Sequence, residues 1–556
     1  MGVKTNASFT RRRVTMSLLP DHKSVIRSGG TALGIEFGST RIKASLVTLT
    51  GEPVATGVHE WENQMIDGHW SYSLDAIWEG ISSAYVSMLE NCKDNHGVVP
   101  ETYSSIGISA MMHGYMAFDH EGNLLTPFRT WRDTTTSAAA EELTEKFGVN
   151  IPLRWSIAHY YQAILDGEKH VPNVAFFTTL AGYVHWKLTG EKVLGVGDAS
   201  GMFPITADGT SYEPEMIQAF NALSGQDTNV EDLMPAILQA GSSAGHLTEE
   251  GAQLLDRSGK LKPGVLFAPP EGDAGTGMVA TNAVSVRTGN VSVGTSIFLM
   301  AVLEGPLKNV HPELDLVTTP DGKPVAMVHC NNGADEMSRW VEIFRQVGKR
   351  LGAPDTSADF VFKAMLESAL DGEPDAGGVL AFNNLAGEPV VHLTDGRPLI
   401  TRTPWATLNL ENFMRAQMYS TFAALAIGVE VLESEKVQLD ILSAHGGVFR
   451  TEKVAQRLLA AATHTPITVP DGASEGGSWG MAVLAAYTAY REEKQHGPAV
   501  KSLPEFLNDV VFATAANTTI APPLVDAQGF ADFLAEYRAA LAIQPAAIEA
   551  LRPRDL

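Results

Sequence analysis

Two short turns in distant parts of the chain each combine a glycine with two hydroxyl side chains. The first, Gly38–Thr40, lies between two predicted strands, and the second, Gly294–Ser296, follows the strand-like run Val291–Val293. A glycine permits close backbone approach, and successive N–H groups together with hydroxyl donors can bind one phosphate. Either turn alone is better explained as an ordinary hairpin. As a pair in corresponding halves of the chain, the two turns predict a clamp on a row of phosphates.

Glu36 and Lys43 flank the first of these turns. A carboxylate beside a bound phosphate makes chemical sense if a Mg²⁺ ion lies between the two, held directly or through water. We therefore expect Glu36 to contribute to a metal site and Lys43 to lie near the phosphates. The sequence contains no G-x-x-x-x-G-K-[ST] and no G-x-G-x-x-G after the first strand. These absences argue against a P-loop and against a dinucleotide fold.

Asp273 lies between the strand-like Val265–Ala268 and the helical Ala274–Thr281. A carboxylate at the carboxyl end of a strand is well placed to take a proton from a sugar hydroxyl. An aspartate in this position can also be a helix N-cap with a purely structural role. The two phosphate turns favour the base, because phosphoryl transfer needs little beyond positioning, a metal ion and a base.

Polar and aromatic side chains in the first half of the chain are candidates for binding a polyol. His113 follows a short strand within Met112–Gly114, and Trp131–Asp133 offers an aromatic face, a cation and a carboxylate. Trp155, next to Arg154, is a weaker candidate of the same kind. Each of these residues has an alternative role in a loop or a surface turn.

Two glycine-rich corners in the second half could approach a flat ring. Gly446 and Gly447 follow a strand, and Ser474–Ser478 precedes a helix. Glycines at such corners permit an adenine or a ribose to lie against the backbone, although loop flexibility alone also explains them.

Alternating strands and helices must position these residues. Strands are predicted at 32–37, 42–48, 106–109, 265–268, 291–293, 297–302, 439–442 and 467–469, and helices at 174–188, 274–281, 412–432, 452–462, 481–490 and 530–551. This alternation predicts α/β layers. A chain of 556 residues is too long for one ordinary core, so two or more domains are expected.

Composition restricts the partners of the protein. There are 40 basic and 64 acidic residues, which give a formal net charge of −24, and a surface of this kind repels phosphate backbones and anionic lipid. We therefore expect no nucleic-acid or membrane partner, and no apolar run approaches the ~20 residues needed to cross a bilayer. The two cysteines, Cys92 and Cys330, favour a reducing, cytoplasmic setting without disulfides or a zinc site. Residues 1–30 are locally basic and are expected to form a disordered extension, with Met16 as an alternative start.

The series of motifs resembles the FGGY family of carbohydrate kinases, within the actin-like and hexokinase-like ATPase fold. The matching segments are 34–43, 112–114, 131–133, 188–191, 197–201, 272–274, 292–296 and 445–447. The resemblance extends from Thr31 to about Leu551. It implies two ribonuclease-H-like domains of α/β class, 31–285 for the sugar and the base and 286–552 for ATP, flanking a cleft.

The resemblance also implies roles for individual residues, with ATP and Mg²⁺ as the cofactors. Asp273 is the catalytic base and Glu36 the metal residue. The residues expected near the sugar are Met112, His113, Trp131, Asp133 and Trp155. The residues expected near the nucleotide are Gly38, Ser39, Thr40, Lys43, Gly294, Thr295, Ser296, Gly446 and Gly447.

Three positions depart from the family pattern. Glu36 stands where the family usually has Asp, Met111 where it has Gln, and His445 where it has the first Gly of the nucleotide triplet. The first change alters the metal geometry and the second removes a polar sugar contact. Asp273 and both turns are intact, so these departures indicate a subgroup rather than an inactive protein.

The choice of substrate rests on the same resemblance. Met112–Gly114 resembles D-xylulose kinases, whereas 61–64 and 109–132 look more like divergent bacterial L-ribulose kinases. A ketopentose is expected, with L-ribulose slightly ahead of D-xylulose, and with other ketoses or polyols such as glycerol as alternatives. A non-catalytic sugar sensor and an actin-like ATPase are the alternatives from other classes, and a homodimer is a fair expectation.

Overall fold

The computed structural model describes residues 21–470, 476–494, 500–515 and 517–552. Its first half is built around one mixed sheet. In chain order the elements are α1 (His22–Arg27), β1 (Thr31–Phe37), β2 (Arg41–Thr48), β3 (Pro53–Glu60), β4 (Gln64–Ile66), β5 (His69–Ser71), α2 (Leu74–His96), β6 (Ser105–Ala110), β7 (Met116–Phe118), α3 (Ser137–Phe147), α4 (Ser156–Leu165), β8 (Phe176–Thr178), α5 (Leu180–Thr189), β9 (Val193–Gly195), α6 (Val196–Ala199), α7 (Pro214–Ser224), β10 (Ala236–Leu238), α8 (Glu249–Leu255), β11 (Leu266–Phe267), β12 (Glu271–Gly272) and α9 (Asp273–Ala280).

The second half is built around another mixed sheet. Its elements are β13 (Thr288–Val293), β14 (Ile297–Val302), β15 (Leu314–Thr318), β16 (Pro324–Cys330), α10 (Asp335–Leu351), α11 (Ala358–Ser368), β17 (Val379–Phe382), β18 (Leu399–Arg402), α12 (Leu410–Ser434), β19 (Ile441–Gly446), α13 (Val454–Thr463), β20 (Ile467–Pro470), α14 (Gly476–Lys494), α15 (Leu503–Phe506), β21 (Asn517–Ile520), α16 (Leu524–Ala540) and α17 (Ile543–Ala550).

The two sheets share one strand arrangement. The first has the order β11-β6-β1-β2-β3, with β12 also pairing with β6, and the second has the order β15-β16-β14-β13-β19-β20-β21. In each sheet an antiparallel hairpin, β1–β2 or β13–β14, lies at the centre, and its first strand pairs in parallel with β6 or β19. Antiparallel strands, three in the first sheet and four in the second, are followed by parallel strands on the other side of β1 or β13, which is the ribonuclease-H-like pattern, so the predicted pair of such domains is confirmed.

Apolar periodicity explains why these segments become core strands. Every residue of β6 is buried, and in β1 only Glu36 is partly accessible. The core of the first domain also takes in one face of the second sheet, including Met300, Val317 and Val325. The hydrophobic effect therefore holds the domains together along this shared surface.

The division of the chain at residue 286 stays a prediction, and helix α14 crosses that division by packing against the first sheet. Its Ser478 hydroxyl lies 2.9 Å from the Ser45 hydroxyl of β2, and Ser105 of β6 donates to the Ala485 carbonyl at 2.6 Å. The chain then goes back to the second sheet, where β21 pairs with β20. The sequence did not predict this packing of α14, because contacts between segments 380 and 433 positions apart leave no local signal.

The predicted disordered extension needs a correction for residues 21–30. They include helix α1, whose Asp21 side chain accepts a hydrogen bond from the Lys23 amide, and whose Ile26 is 1% exposed in the core beneath the first sheet. Burial of the Ile26 side chain therefore holds helix α1 against the first domain. Residues 1–20, together with Ser474 and Glu475 of the predicted corner, lie outside the described residues.

Of the other helices predicted from the sequence, some are confirmed and one is wrong at its start. The long predicted helices at 274–281 and 412–432 are confirmed as α9 and α12. The predicted helix at 174–188 is wrong at its start, because Phe176–Thr178 forms strand β8 and pairs with β7 before α5 begins. Cys92 and Cys330 are both buried and unbonded. Among the described residues, no helix has the length and apolar character needed to span a membrane.

The crossing of α14 over β1 depends on glycine at position 34. A Cβ atom at Gly34 would lie 2.2 Å from the Ala482 nitrogen and 2.3 Å from the Ser478 carbonyl oxygen. Both obstructing atoms belong to the helix backbone and cannot rotate away. We expect Gly34→Ala to destabilise the protein by about 3 kcal/mol or more, measured by thermal or denaturant unfolding.

Gly348→Ala is the matched control. It lies inside α10, and its added Cβ would meet Thr356 at an ordinary 3.5 Å. This variant should keep or slightly raise the stability, because alanine is the better helix former. Equal stability of the two variants would show that the α14–β1 contact is looser than described.

Candidate active site

The carboxyl ends of three parallel strands meet at one edge of the first sheet. Glu36 of β1 and Glu271 of β12 are both in register with Ser109 of β6. The residues that follow these strands therefore lie side by side. The structure thus brings together the first turn, the Met112–Gly114 segment and Asp273, as the sequence predicted.

Asp273 is the first residue of α9, and the N-cap of that helix is Gly272. The alternative explanation of Asp273 as an N-cap is therefore wrong. Its carboxylate accepts a hydrogen bond from the Met112 amide at 3.1 Å and is accessible from the cleft. Protein atoms on all other sides bury the group, and this burial raises the pKa of Asp273 above its ordinary value. The arrangement suits a group that takes up a proton.

Glu36 lies at the N-terminal end of α14. One of its oxygens accepts the Ser478 amide at 3.2 Å, and a Cβ atom at Gly477 would lie 2.3 Å from the other. Burial raises the pKa of Glu36, Lys43 directly opposite on β2 lowers it, and the Asp273 carboxylate raises it further. Glu36 and Asp273 are therefore close enough to influence each other electrostatically.

Aromatic side chains hold the first turn from one side. The Trp61 indole donates to the Gly38 carbonyl at 2.7 Å, and the Tyr72 hydroxyl donates to the Ser39 carbonyl at 2.7 Å. In a trans peptide the N–H points away from the C=O of the same unit, so the amides of Ser39 and Thr40 point to the opposite side. The Trp131 indole donates to the Ser39 hydroxyl at 3.2 Å. The turn is thus fixed with its amides free to bind an anion.

The second turn is held in the same way by a backbone loop. The Gly333 amide donates to the Thr295 carbonyl at 2.7 Å, and the Ala334 amide donates to the Gly294 carbonyl at 2.9 Å. The amides of Thr295 and Ser296 therefore also point away from the support. A Cβ atom at Gly333 would lie 2.2 Å from the Gly294 carbonyl oxygen, so the loop approaches as closely as a backbone can.

A buried carboxylate organises that supporting loop. Glu388 is fully buried and accepts hydrogen bonds from the amides of Asn331 and Asn332 and from the Asn332 side chain, at 3.0 to 3.3 Å. Burial raises the pKa of Glu388, and the hydrogen bonds from Asn332 oppose the rise. This role of Glu388 was not predicted, because the residue lies about 90 positions from the turn that it supports.

The predicted glycine corner lies beside the second turn. Gly446 is in register with Val293, the residue that precedes Gly294, and it has a φ of 125°. A Cβ atom at Gly446 would lie 2.0 Å from the Val293 carbonyl oxygen, whereas one at Gly447 would meet nothing within 4 Å. The backbone at Gly447 therefore faces open space next to the turn. The other predicted corner belongs elsewhere, because Gly476 and Gly477 lie beside Lys43 and Glu36 of the first domain.

His113 lies in the left-handed region with a φ of 72° and is buried. Burial lowers the pKa of His113 well below its ordinary value, and the nearby Arg154 lowers it further, so the ring is neutral. Its Nδ1 lies 3.2 Å from the Gly201 carbonyl oxygen. This contact assigns the proton to Nδ1 and leaves Nε2 as an acceptor for a hydroxyl group.

Two of the residues predicted to contact the sugar, Asp133 and Trp155, are buried, as is Met111, where a polar sugar contact is expected to be lost. Asp133 is 3% exposed, and its carboxylate is hydrogen-bonded to His69 and Thr135, so these contacts position the Trp131–Asp133 segment, and a contact of Asp133 with sugar stays a prediction. Met111, where the family has Gln, packs into the core. Trp155 is buried, and its indole N–H has no partner among the described residues, so its contact with sugar stays a prediction.

Several contributors to the site were missed from the sequence. They are Ser478, Trp61, Tyr72 and Glu388, which hold Glu36 and the two turns. Among these residues, only Trp61 and Tyr72 could have been noticed in the sequence, because aromatic residues are frequent in the segment 61–72. Their frequency does not indicate which carbonyl group each would bind.

Comparison with known proteins agrees with this geometry. The N-terminal domain of the FGGY family of carbohydrate kinases matches residues 31–259, and the C-terminal domain of the same family matches residues 289–489. A xylulose kinase of Haemophilus influenzae is 20% identical over 75% of this chain and 82% of its own length. A xylulose kinase of Staphylococcus xylosus is 24% identical over 39% of this chain, a match that spans 44% of that enzyme.

Solved structures extend the likeness to the whole fold. The crystal structure of a xyloylose kinase from Brucella ovis superimposes with a TM-score of 0.73, at 19% identity, over 94% of this chain and 100% of the other. The two domain matches lie in the expected order and contain both turns, Glu36 and the Met112–Gly114 segment, with Asp273 in the short stretch between the matches. The chain therefore belongs to the FGGY family of carbohydrate kinases.

Proposed function

We propose that this protein transfers the γ-phosphoryl group of ATP to the terminal hydroxyl of a ketopentose. The observation that carries the proposal is the position of Asp273, whose carboxylate faces the cleft at the sheet edge that also holds the first anion-binding turn. A base, an anion site and a polyol-binding segment at one edge are the parts that phosphoryl transfer to an alcohol requires.

In this reaction the sugar hydroxyl oxygen forms a new bond to the γ-phosphorus. The bond between that phosphorus and the β–γ bridging oxygen breaks, and its electron pair stays on ADP. The hydroxyl proton moves to the Asp273 carboxylate. The Met112 amide, which donates to Asp273 at 3.1 Å, orients the base for this transfer.

The two turns hold the phosphates. The amides of Ser39 and Thr40 on one domain, and of Thr295 and Ser296 on the other, provide donors on both sides of the cleft. Closure of the domains around the substrates would bring the two sets together and exclude water, which limits wasteful hydrolysis of ATP.

The residues around Glu36 fit a Mg²⁺ ion. Burial raises the pKa of both Glu36 and Asp273, and the charge of Asp273 raises the pKa of Glu36 further, a situation that a divalent cation relieves. Among the described residues, no group of three or more histidine, cysteine or acidic side chains is arranged to hold a metal. Mg²⁺ commonly takes one or two carboxylates and fills its other positions with phosphate oxygens and water. Bound there, the ion would neutralise charge on the transferred phosphoryl group.

Two ketopentoses are the leading substrates. The names of the Haemophilus and Staphylococcus relatives support D-xylulose, whereas the segments 61–64 and 109–132 support L-ribulose. These sugars differ only in configuration at C4, so a small set of pocket contacts decides between them. The neutral His113, with Nε2 free to accept, is one such contact.

The first test is ADP release coupled to NADH oxidation, with Mg-ATP and L-ribulose, D-xylulose, D-ribulose, L-xylulose, glycerol and L-rhamnulose as acceptors. We expect one ketopentose to raise the rate well above the sugar-free rate. ADP release that no sugar stimulates would contradict the kinase and favour an actin-like ATPase, and the absence of any release would favour a sensor.

Replacement of the base is the second test. Asp273→Asn should lower kcat by about 1,000-fold, because it removes the proton acceptor, while the affinity for ATP measured by calorimetry stays within a factor of about two. Asp94→Asn, an exposed change on α2, is the matched control and should leave kcat unchanged. The wild-type rate should also fall as acid protonates Asp273. Near-normal turnover by Asp273→Asn would remove the residue from its proposed role.

The third test concerns the nucleotide. Because a Cβ atom at Gly447 would enter open space, Gly447→Val should leave the unfolding temperature unchanged. It should weaken ATP binding by roughly 10-fold or more if the nucleoside lies against that backbone, a loss expected from a steric clash in a close-packed contact. Unchanged ATP affinity in calorimetry would show that the nucleoside binds elsewhere.

A further inference from the structure

Arg132 carries a guanidinium group held between two indole rings at the edge of the cleft. Its Cζ atom lies 5.2 Å from the centre of the Trp70 ring and 5.7 Å from the centre of the Trp131 ring. A guanidinium stacked in this way keeps its charge and its planar set of donors while losing side-chain freedom before a ligand arrives. The residue is exposed, so the group is available to a ligand.

The charge of Arg132 is not neutralised by the protein around it. In the part of the chain that the structure describes, no carboxylate lies within ion-pair distance of its guanidinium, and this side chain donates no hydrogen bond. Nearby arginines differ, since Arg41 pairs with Glu60, Arg129 with Glu168 and Arg154 with Asp315. The chain has a net charge of −24, so this unpaired guanidinium beside the cleft offers a positive group to an anionic ligand.

Two contacts link Arg132 to the first turn. Trp131, on which it stacks, donates to the Ser39 hydroxyl at 3.2 Å. Tyr72 donates to the Ser39 carbonyl at 2.7 Å, and the Arg132 charge lowers the pKa of Tyr72 against the larger raising effect of burial. Both neighbours of the guanidinium are thus bonded to the residue whose amide and hydroxyl we assign to a phosphate.

We propose that Arg132 binds the γ-phosphoryl group of ATP at the Gly38–Thr40 turn and neutralises its charge during transfer. This inference rests on the proposed kinase function and adds a catalytic residue to it. Arg132 neither gives nor takes a proton or an electron pair. It binds the equatorial oxygens of the phosphoryl group while the bond to the sugar oxygen forms and the bond to ADP breaks.

Replacement of Arg132 tests the proposal through the rate. Arg132→Ala should lower the kcat for the accepted sugar by at least about 100-fold, with the sugar KM changed by less than a factor of about three. Arg132→Lys, which keeps the charge but loses the planar fork, should fall between Ala and wild type. Arg41→Ala, next to the same turn but paired with Glu60, is the matched control and should keep the wild-type kcat.

Nucleotide affinity supplies a readout that does not depend on turnover. Calorimetry with ADP and with the non-hydrolysable analogue β,γ-imido-ATP should show that Arg132→Ala weakens the analogue about 10-fold or more and leaves ADP unchanged. A merely structural role for Arg132 would weaken both nucleotides and lower the unfolding temperature. Equal effects on both, or a rise in sugar KM alone, would overturn the proposal.

The two proposals fail in distinguishable ways. If the wild-type protein phosphorylates none of the sugars, the kinase function fails, whatever the nucleotide affinities are. If the wild type is active and Arg132→Ala matches it in kcat and in analogue affinity, the kinase stands and the role of Arg132 is overturned.

Discussion

The backbone contact between β1 and α14 is the constraint on which the site depends. Gly34 and Gly480 allow α14 to lie so close to β1 and α9 that any side chain at either position would strike backbone atoms within 2.3 Å. This approach brings the Ser478 amide to Glu36, 442 positions away in sequence. The hydrogen bond that forms there offsets part of the desolvation penalty of burying the Glu36 carboxylate. It also places Thr276 of α9, and hence Asp273, at a fixed distance from β1. The acidic group of the active site is therefore a product of helix packing rather than of any single motif.

The two halves of the protein hold their hairpin turns with different chemical groups. In each half, hydrogen-bond donors on one side of a hairpin turn bind its carbonyl oxygens. The amides of the turn therefore point to the opposite side. In the first domain the donors are the side chains of Trp61 and Tyr72, which also stack on each other with ring centres 4.1 Å apart. In the second domain the donors are the backbone amides of Gly333 and Ala334, anchored by the buried Glu388. Aromatic support leaves the first turn next to the Trp131–Asp133 segment, whereas backbone support leaves the second turn next to Gly447 and open space.

Local sequence patterns predicted correctly those elements whose structure depends mainly on neighbouring residues. The hairpin strands at 32–37 and 42–48, helix α12, the two turns and Asp273 all lie where apolar runs, glycines and strand ends predicted them. Patterns failed where tertiary contacts decide. They did not predict that α14 packs against β1, that strand β8 forms by pairing with β7, or that burial of Ile26 holds α1. The role of Asp133 was missed for the same reason, because its partner His69 is 64 positions away. The hydrogen bonds that hold the two turns could not be predicted either, because their donors and acceptors lie in different segments of the chain.

Electrostatics explains why Asp273, and not one of its acidic neighbours, is suited to be the base. Asp198 and Glu271 are buried carboxyl groups behind it, and burial raises the pKa of Asp198 to about 7 and that of Glu271 well above its ordinary value. Repulsion between them, and between Asp198 and Asp273, makes ionisation of the inner pair less favourable still. Of these three carboxyl groups, only Asp273 combines a hydrogen bond from the Met112 amide with exposure, and this is why we propose it as the base. Environments that separate the pKa values of neighbouring acids assign their roles, and here they leave the proton-accepting role to Asp273.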